Sequence, residues 1–299
     1  MKPIFNLIMI SCFFIASCGT QRKIEETRKV LKTIKEGKEK ESGKLTAVNE
    51  SSLNKLKEGK IEKNIKHLID ERLERYRQKI DSTGKTINQI ELLMEDKKTF
   101  KKEYKSVVVP ALDSLKKDNS LYDKRLTIYM MIEDGLNIAD YHLFDLAAFF
   151  GPGKHIIPDD KVEFARESFA PIVDSLINFS SKYNDKPRTG SLLILGFADG
   201  TGFSEGPLYD TLKALIGKAE VTKEELNLKL SELRAGELIK HLEQIYYQKK
   251  KVFTDINDFR VEYIGQGKGE EYPLPTIKDY MVEDARRRIV LCYWVVLPD

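Results

Sequence analysis

Between Ile61 and Ile80 the apolar residues are Ile61, Ile65, Leu68, Ile69, Leu73, Tyr76 and Ile80, recurring at three- and four-residue spacings. That period puts them on one face of an α-helix and leaves the charged residues on the other. A second stretch carries Ile87, Ile90, Leu93, Met94, Phe100, Tyr104, Val107 and Val108, and a third runs from Leu121 to Ile138. The breaks expected between them are "DSTGK", Asp81 to Lys85, and "KKDNS", Lys116 to Ser120, where turn formers cluster. Pro110 is expected to kink the second stretch or to begin a new turn. Three amphipathic helices on short polar breaks predict an antiparallel bundle or a long coiled hairpin for residues 51–140. "STGKT", Ser82 to Thr86, is not a phosphate loop. That pattern needs a glycine five positions before Gly84, where Lys79 stands, and a strand rather than a helix in front.

Upstream, "QRKIEETRKVLKTIKEGKEKESGK" has a short apolar stripe of Ile24, Leu31 and Ile34, with Thr27, ended by Gly37 and Ser42-Gly43. Residues 18–50 therefore read as a charged tether, partly helical at best. Residues 1–17 have an early lysine and an apolar run from Ile4 to Ile15, too short for the roughly 20 residues of a spanning helix. This is the pattern of a secretory signal peptide. Its end, Ile15-Ala16-Ser17-Cys18, resembles the bacterial lipobox. The resemblance implies cleavage before Cys18 and acylation of that residue. Each buried methylene of an acyl chain contributes roughly 0.8 kcal/mol to membrane attachment, and several chains together hold firmly. Of the three cysteines, Cys12, Cys18 and Cys292, only the last then remains a thiol, and "RIVLCYWVV" makes it a buried small hydrophobe.

The texture changes at about Tyr141. "YHLFDLAAFF" is apolar enough for a strand, "GPGKHIIPDD" is a turn-rich connection, and a helix follows with Val162, Phe164, Ala165, Phe169, Ile172, Val173, Leu176, Ile177 and Phe179 inward. "SLLILGF" is a buried strand, residues from about Lys223 to Gln248 a helix, and "FRVEYIG" and "RRIVLCYWVV" two further strands. Strands alternating with helices predict an α/β sandwich on a mixed four-stranded sheet for residues 141–299, so the whole chain is expected to be α+β.

Four separated motifs lie in this region. "GFADGTG" stands where the OmpA-like peptidoglycan-binding domain has Gly-Tyr/His-Thr-Asp-x-x-Gly. "NLKLSELRA" matches Asn-x-x-Leu-Ser-x-x-Arg-Ala, "GKGEEYP" matches Gly-x-Gly-Glu-x-x-Pro, and "RRRIVL" is near Asn-Arg-Arg-Val-Glu-Ile. In their order and on their expected elements they make residues 141–299 resemble that domain, which is shared with Pal and the flagellar stator protein MotB. The resemblance implies binding of the peptidoglycan stem peptide through diaminopimelate, whose free end carries an ammonium and a carboxylate. By the match, Asp199 takes the ammonium. Arg234 takes the carboxylate, for which its planar fork is suited. Asn227 hydrogen-bonds the ligand or holds the Asp199 loop. Gly200 and Gly202 let the backbone turn and approach the ligand, and Arg288 or Arg287 supports the carboxylate end. The sequence departs from the pattern at Phe197, Ala198 and Arg286, and Gly153 stands where some members have a ligand-contacting Asn. The interval from Asp199 to Arg234 is more than twice the usual one, and "FSEGPLYDTLKALIGKAEVTKEEL" within it is expected to add a small helix beside the pocket.

A net charge of +3 over 299 residues offers no clustered basic excess for nucleic acid. The histidines, His67, His142, His155 and His241, have no metal-ligand spacing, and no Ser-His or Cys-His pairing is suggested, which argues against an enzyme and calls for no cofactor. The expected role is that of an outer-membrane lipoprotein facing the periplasm, gripping the wall with its C-terminal domain while the helices set the distance at roughly 1.5 Å per residue. The alternative is a scaffold subunit of an envelope complex, in which residues 51–140 bind a protein partner or a second copy.

Overall fold

The computed structural model describes residues 3–138, 142–144, 150, 153–252, 259–274 and 277–299, with side chains from residue 19 onward except at 138 and 142–144. The chain is α+β and mostly helical, with a mixed sheet. It divides into two units, one of residues 1–50 with 70–130, the other of residues 51–69 with 131–299. One cut falls between residues 50 and 51, where the sequence pattern put a boundary, although it lies inside a continuous helix; the others fall at 69/70 and at 130/131, not at 140.

In the first unit, helix α1 (Pro3–Lys57) and helix α2 (Lys63–Glu95) run unbroken through the places where breaks were expected. Residues 18–50 are thus a core helix and not a loose tether. Gly37, Gly43 and Gly84 each cost about 1 kcal/mol relative to alanine in a helix. A buried Leu or Ile contributes roughly 1.5–3 kcal/mol, so the packed face outweighs them. Ile24, Leu31 and Ile34 of α1 pack with Ile87 and Ile90 of α2 and with Phe100, Val108, Leu112 and Leu115. Those last four lie on helix α3 (Lys97–Glu103), the π-turn Tyr104–Val108 and helix α4 (Val109–Asn119). Gly37 has a packing reason, because a Cβ there would meet Asn119 Oδ1 at 2.7 Å. Pro110 sits in the first turn of α4, where its missing N–H is harmless. Helix α5 (Tyr122–Ile138) follows the expected break after Asn119.

A polar cluster ties α1, α4 and α5 together. Arg125 donates from Nε and Nη2 to the two oxygens of Glu41 at 2.6 and 2.9 Å, and from Nη1 to Asp118 Oδ1 at 3.2 Å. Tyr129 donates to Glu41 Oε1 at 3.0 Å, and burial beside that carboxylate holds its phenol far above the ordinary range.

In the second unit, strands β2 (Arg188–Gly196) and β3 (Phe259–Gly267) pair in parallel, and β4 (Val290–Pro298) pairs antiparallel to the other side of β2. A three-residue strand β1 (His142–Phe144) lies antiparallel along the outer edge of β4. The rest of "YHLFDLAAF" lies outside the described residues. Every residue of β2 and β4 is buried, which is why both read as continuous apolar runs. One face, with Leu192, Ile194, Cys292 and Trp294, packs on helix α6 (Val162–Ser181) and helix α8 (Lys223–Lys250). Phe164, expected inward, is 59% exposed, because it lies off the face that Ala165, Phe169, Ile172 and Leu176 share. On the other, Leu195, Leu291 and Tyr293 look across a cavity of about 420 Å³ at Leu56 and Ile61, and Gly135 lies against Val295. Burial pushes the Cys292 thiol up to about 12, so it is no nucleophile. Strand β4 begins at Val290 rather than at Arg287, because Arg287 closes a short 3-10 turn (Ala285–Arg287) and points inward.

Candidate functional site

Close packing of α8 on the sheet sets the site. A Cβ on Gly196 would overlap the Ser231 carbonyl, and one on Gly267 would meet Ser231 Oγ at 2.6 Å. Two side chains are absent where the helix touches the strands, so α8 is pressed onto the ends of β2 and β3. Its N-terminus is fixed by a capping box, Thr222 with Glu225. Asn227 and Arg234 lie four residues before and three after Ser231, on the face that meets the sheet. Both are brought beside the loop that leaves β2 with Asp199.

That loop is clamped through its backbone. Phe197 N donates to Ile289 O at 3.0 Å, Ala198 N to Gly269 O at 2.8 Å, and Gly200 N to Val282 O at 2.6 Å. Gly200 is required, since a Cβ would lie 2.6 Å from Val282 Cγ1. At Gly202 nothing lies within 4 Å of such an atom, so its lack of a side chain opens the site rather than relieving a clash. Asn227 donates to Glu270 Oε1 at 2.7 Å and to Thr201 O at 3.4 Å, so it holds the Asp199 loop. Lys223 reaches the same Glu270 oxygen and Gly200 O, each at 3.3 Å.

Asp199 is only 7% exposed. Its Oδ2 lies 3.1 Å from Arg288 Nε, an ion-pair distance, although the N–H is not aimed well enough for a hydrogen bond. Arg234 is 1% exposed, and its fork holds two carbonyls of this chain, Lys154 O from Nε at 3.1 Å and Phe197 O from Nη1 at 3.0 Å. Burial pulls its pKa down to about 10, Asp199 opposes the shift and Arg288 adds to it, so the guanidinium stays charged at neutral pH. Arg287 is also buried, over the Tyr272 ring at 4.9 Å, with Nη1 on Val282 O at 2.9 Å and Nη2 on Glu270 O. Asp199, Asn227, Gly202, Arg234 and Arg288 thus gather at one end of the sheet. The acylation expected at Cys18 concerns a side chain outside the described ones.

A cavity of about 220 Å³ opens at Asp199, walled by Thr201, Gly202 and Asn227 and by Phe203 and Leu208 of the segment after the loop. That segment carries helix α7 (Pro207–Ile216), the small helix expected there. A second cavity of about 270 Å³ shares Gly153 and Leu208 with the first and is lined also by Lys154, His155 and Thr211. Sequence reasoning passed over Lys154 and His155 as part of a turn-rich connection. Their signal was the pair of basic residues directly after Gly153 in "GPGKH". Among the described residues no group of three or more His, Cys, Asp or Glu is placed to hold a metal ion, and no helix is long and apolar enough to cross a membrane.

No protein-family model and no curated protein matches the sequence.

Proposed function

We propose that this chain is an outer-membrane lipoprotein that binds peptidoglycan non-covalently through the diaminopimelate of the stem peptide, its C-terminal region being an OmpA-like sandwich. The observation that carries the reading is Asp199, a buried carboxylate on the wall of an open cavity, between Arg288 and Arg234. One anion between two fixed cations has a net positive surrounding. The two arginines act through their field rather than from the cavity wall, so a ligand that carries a carboxylate beside its ammonium suits this end of the sheet better than an ammonium alone. Acylation at Cys18 then attaches the chain to the membrane and the site attaches it to the wall.

The test is cosedimentation of the full chain with diaminopimelate-type peptidoglycan, wild type against Asp199→Ala and Asp199→Asn. Removing one side of a desolvated charge pair costs roughly 2–5 kcal/mol, so both variants are expected to lose binding by well over tenfold. Undiminished sedimentation of both would remove Asp199 from the site. Labelling with a fatty acid, lost in Cys18→Ser, tests the anchor.

A further inference from the structure

We propose that Lys154 takes the carboxylate of the ligand whose ammonium meets Asp199, and that Arg234 positions Lys154 rather than touching the ligand. The inference rests on the stem-peptide reading above and specifies how the second charge is recognised. The two cavities share Gly153 and Leu208 as a common wall. In the first, Asp199 is the only charged lining residue among the described residues. In the second the ionisable lining groups are Lys154 and His155, with no acidic residue. Burial lowers the His155 pKa, so at neutral pH the imidazole is largely uncharged and Lys154 supplies the positive charge. The backbone around Lys154 is held from α8 at two points. Arg234 Nε bonds Lys154 O at 3.1 Å, and Ile157 N donates to Glu237 Oε1 at 3.4 Å. The Lys154 side chain itself is exposed. A fixed loop therefore offers an exposed ammonium on one side of the wall that Gly153 and Leu208 form, with a buried carboxylate in the cavity that shares this wall. Diaminopimelate presents the opposite pair of charges on one carbon.

The test uses two soluble disaccharide–tetrapeptide fragments, one with the terminal carboxylate of diaminopimelate free and one with it amidated. Their binding to the full chain is measured by calorimetry for wild type and Lys154→Gln, an exposed change that leaves the fold intact. Wild type is expected to favour the free carboxylate by about fivefold, the worth of an exposed ion pair. Lys154→Gln is expected to bind the amidated fragment as wild type does and to lose that preference. A wild type without preference, a variant that keeps it, or a variant that weakens both fragments equally overturns the assignment. Binding of neither fragment by wild type overturns the stem-peptide reading itself, and this inference with it.

Discussion

Arg234 on α8 donates from Nε to the carbonyl of Lys154 at 3.1 Å, linking the helix to the loop across the mouth of the site. Its Nη1 holds Phe197 O, two residues before Asp199, at 3.0 Å. One buried guanidinium therefore sets the spacing between the loop with the carboxylate and the loop with the free lysine.

Replacing Arg234 by alanine strands both carbonyls and removes a cation from beside Asp199. Loss of a buried, hydrogen-bonded charge costs about 3 kcal/mol. Urea unfolding followed by fluorescence of Trp294, the single tryptophan, reads the C-terminal unit and should show a fall in unfolding free energy of that size, with a lower midpoint. Arg234→Lys keeps the charge but not the fork, and should cost less. Equal stability of Arg234→Ala and wild type would show that the two loops are not held by this side chain.

Gly153 has φ of +67°, and a Cβ on it would lie 2.9 Å from Leu208 Cδ2. Gly153→Ala should lose about 1–2 kcal/mol through the left-handed backbone alone. It should also displace Leu208, which lines both cavities, and weaken fragment binding in calorimetry. Gly202→Ala, which meets nothing, should do much less to stability.

In the helical unit, Glu41→Ala leaves Arg125 buried without its bidentate partner. The expected loss is about 3–5 kcal/mol, seen in thermal unfolding monitored by helical circular dichroism. The double variant Glu41→Leu, Arg125→Met removes both charges and should recover most of that loss. No recovery would mean that the pair does more than satisfy itself.

Glu237 is buried, and its carboxylate is held down to about 2, first by the hydrogen bond from His241 and then by Lys240 and the Ile157 N–H. A carboxyl whose folded pKa lies below its unfolded value of about 4.5 adds stability that is complete above that value. That stability is lost as pH falls from about 4.5 towards 2. The expected contribution is up to about 3 kcal/mol, and Glu237→Gln should flatten the acid limb of the stability–pH curve. Because Ile157 closes the loop that bears Lys154, ligand binding should weaken over the same window.

How much could be read in advance depended on whether the deciding contacts were local. Strands β2 and β4 were legible because burial on both faces demands apolar runs such as Leu192–Leu195 and Val290–Val296. Helix α8 was legible as a helix from about Lys223 to Gln248, although its capping box became visible only in the structure, and Asp199, Asn227, Arg234 and Arg288 were singled out through the motifs that resemble the OmpA-like pattern. The continuity of α1 and α2 was not. Gly37, Gly43 and Gly84 carry a local penalty in the helix, and what outweighs it is a face of residues distant in sequence, Phe100, Val108, Leu112 and Leu115 among them.

The residue types and their periods alone specified helices at the N-terminal end, strands and helices after about residue 141, and a lone carboxylate on a glycine-bearing turn. Backbone propensity and hydrophobic period act over a few residues and are written into the local sequence. The partners of the charges were decided elsewhere. Arg234 has the chemistry of a carboxylate fork, yet the approach of α8 to Gly196 and Gly267 buries it against Lys154 O and Phe197 O. Charge–charge and hydrogen-bonding energies depend on distance and burial, which arise only when the helix and both loops have packed together.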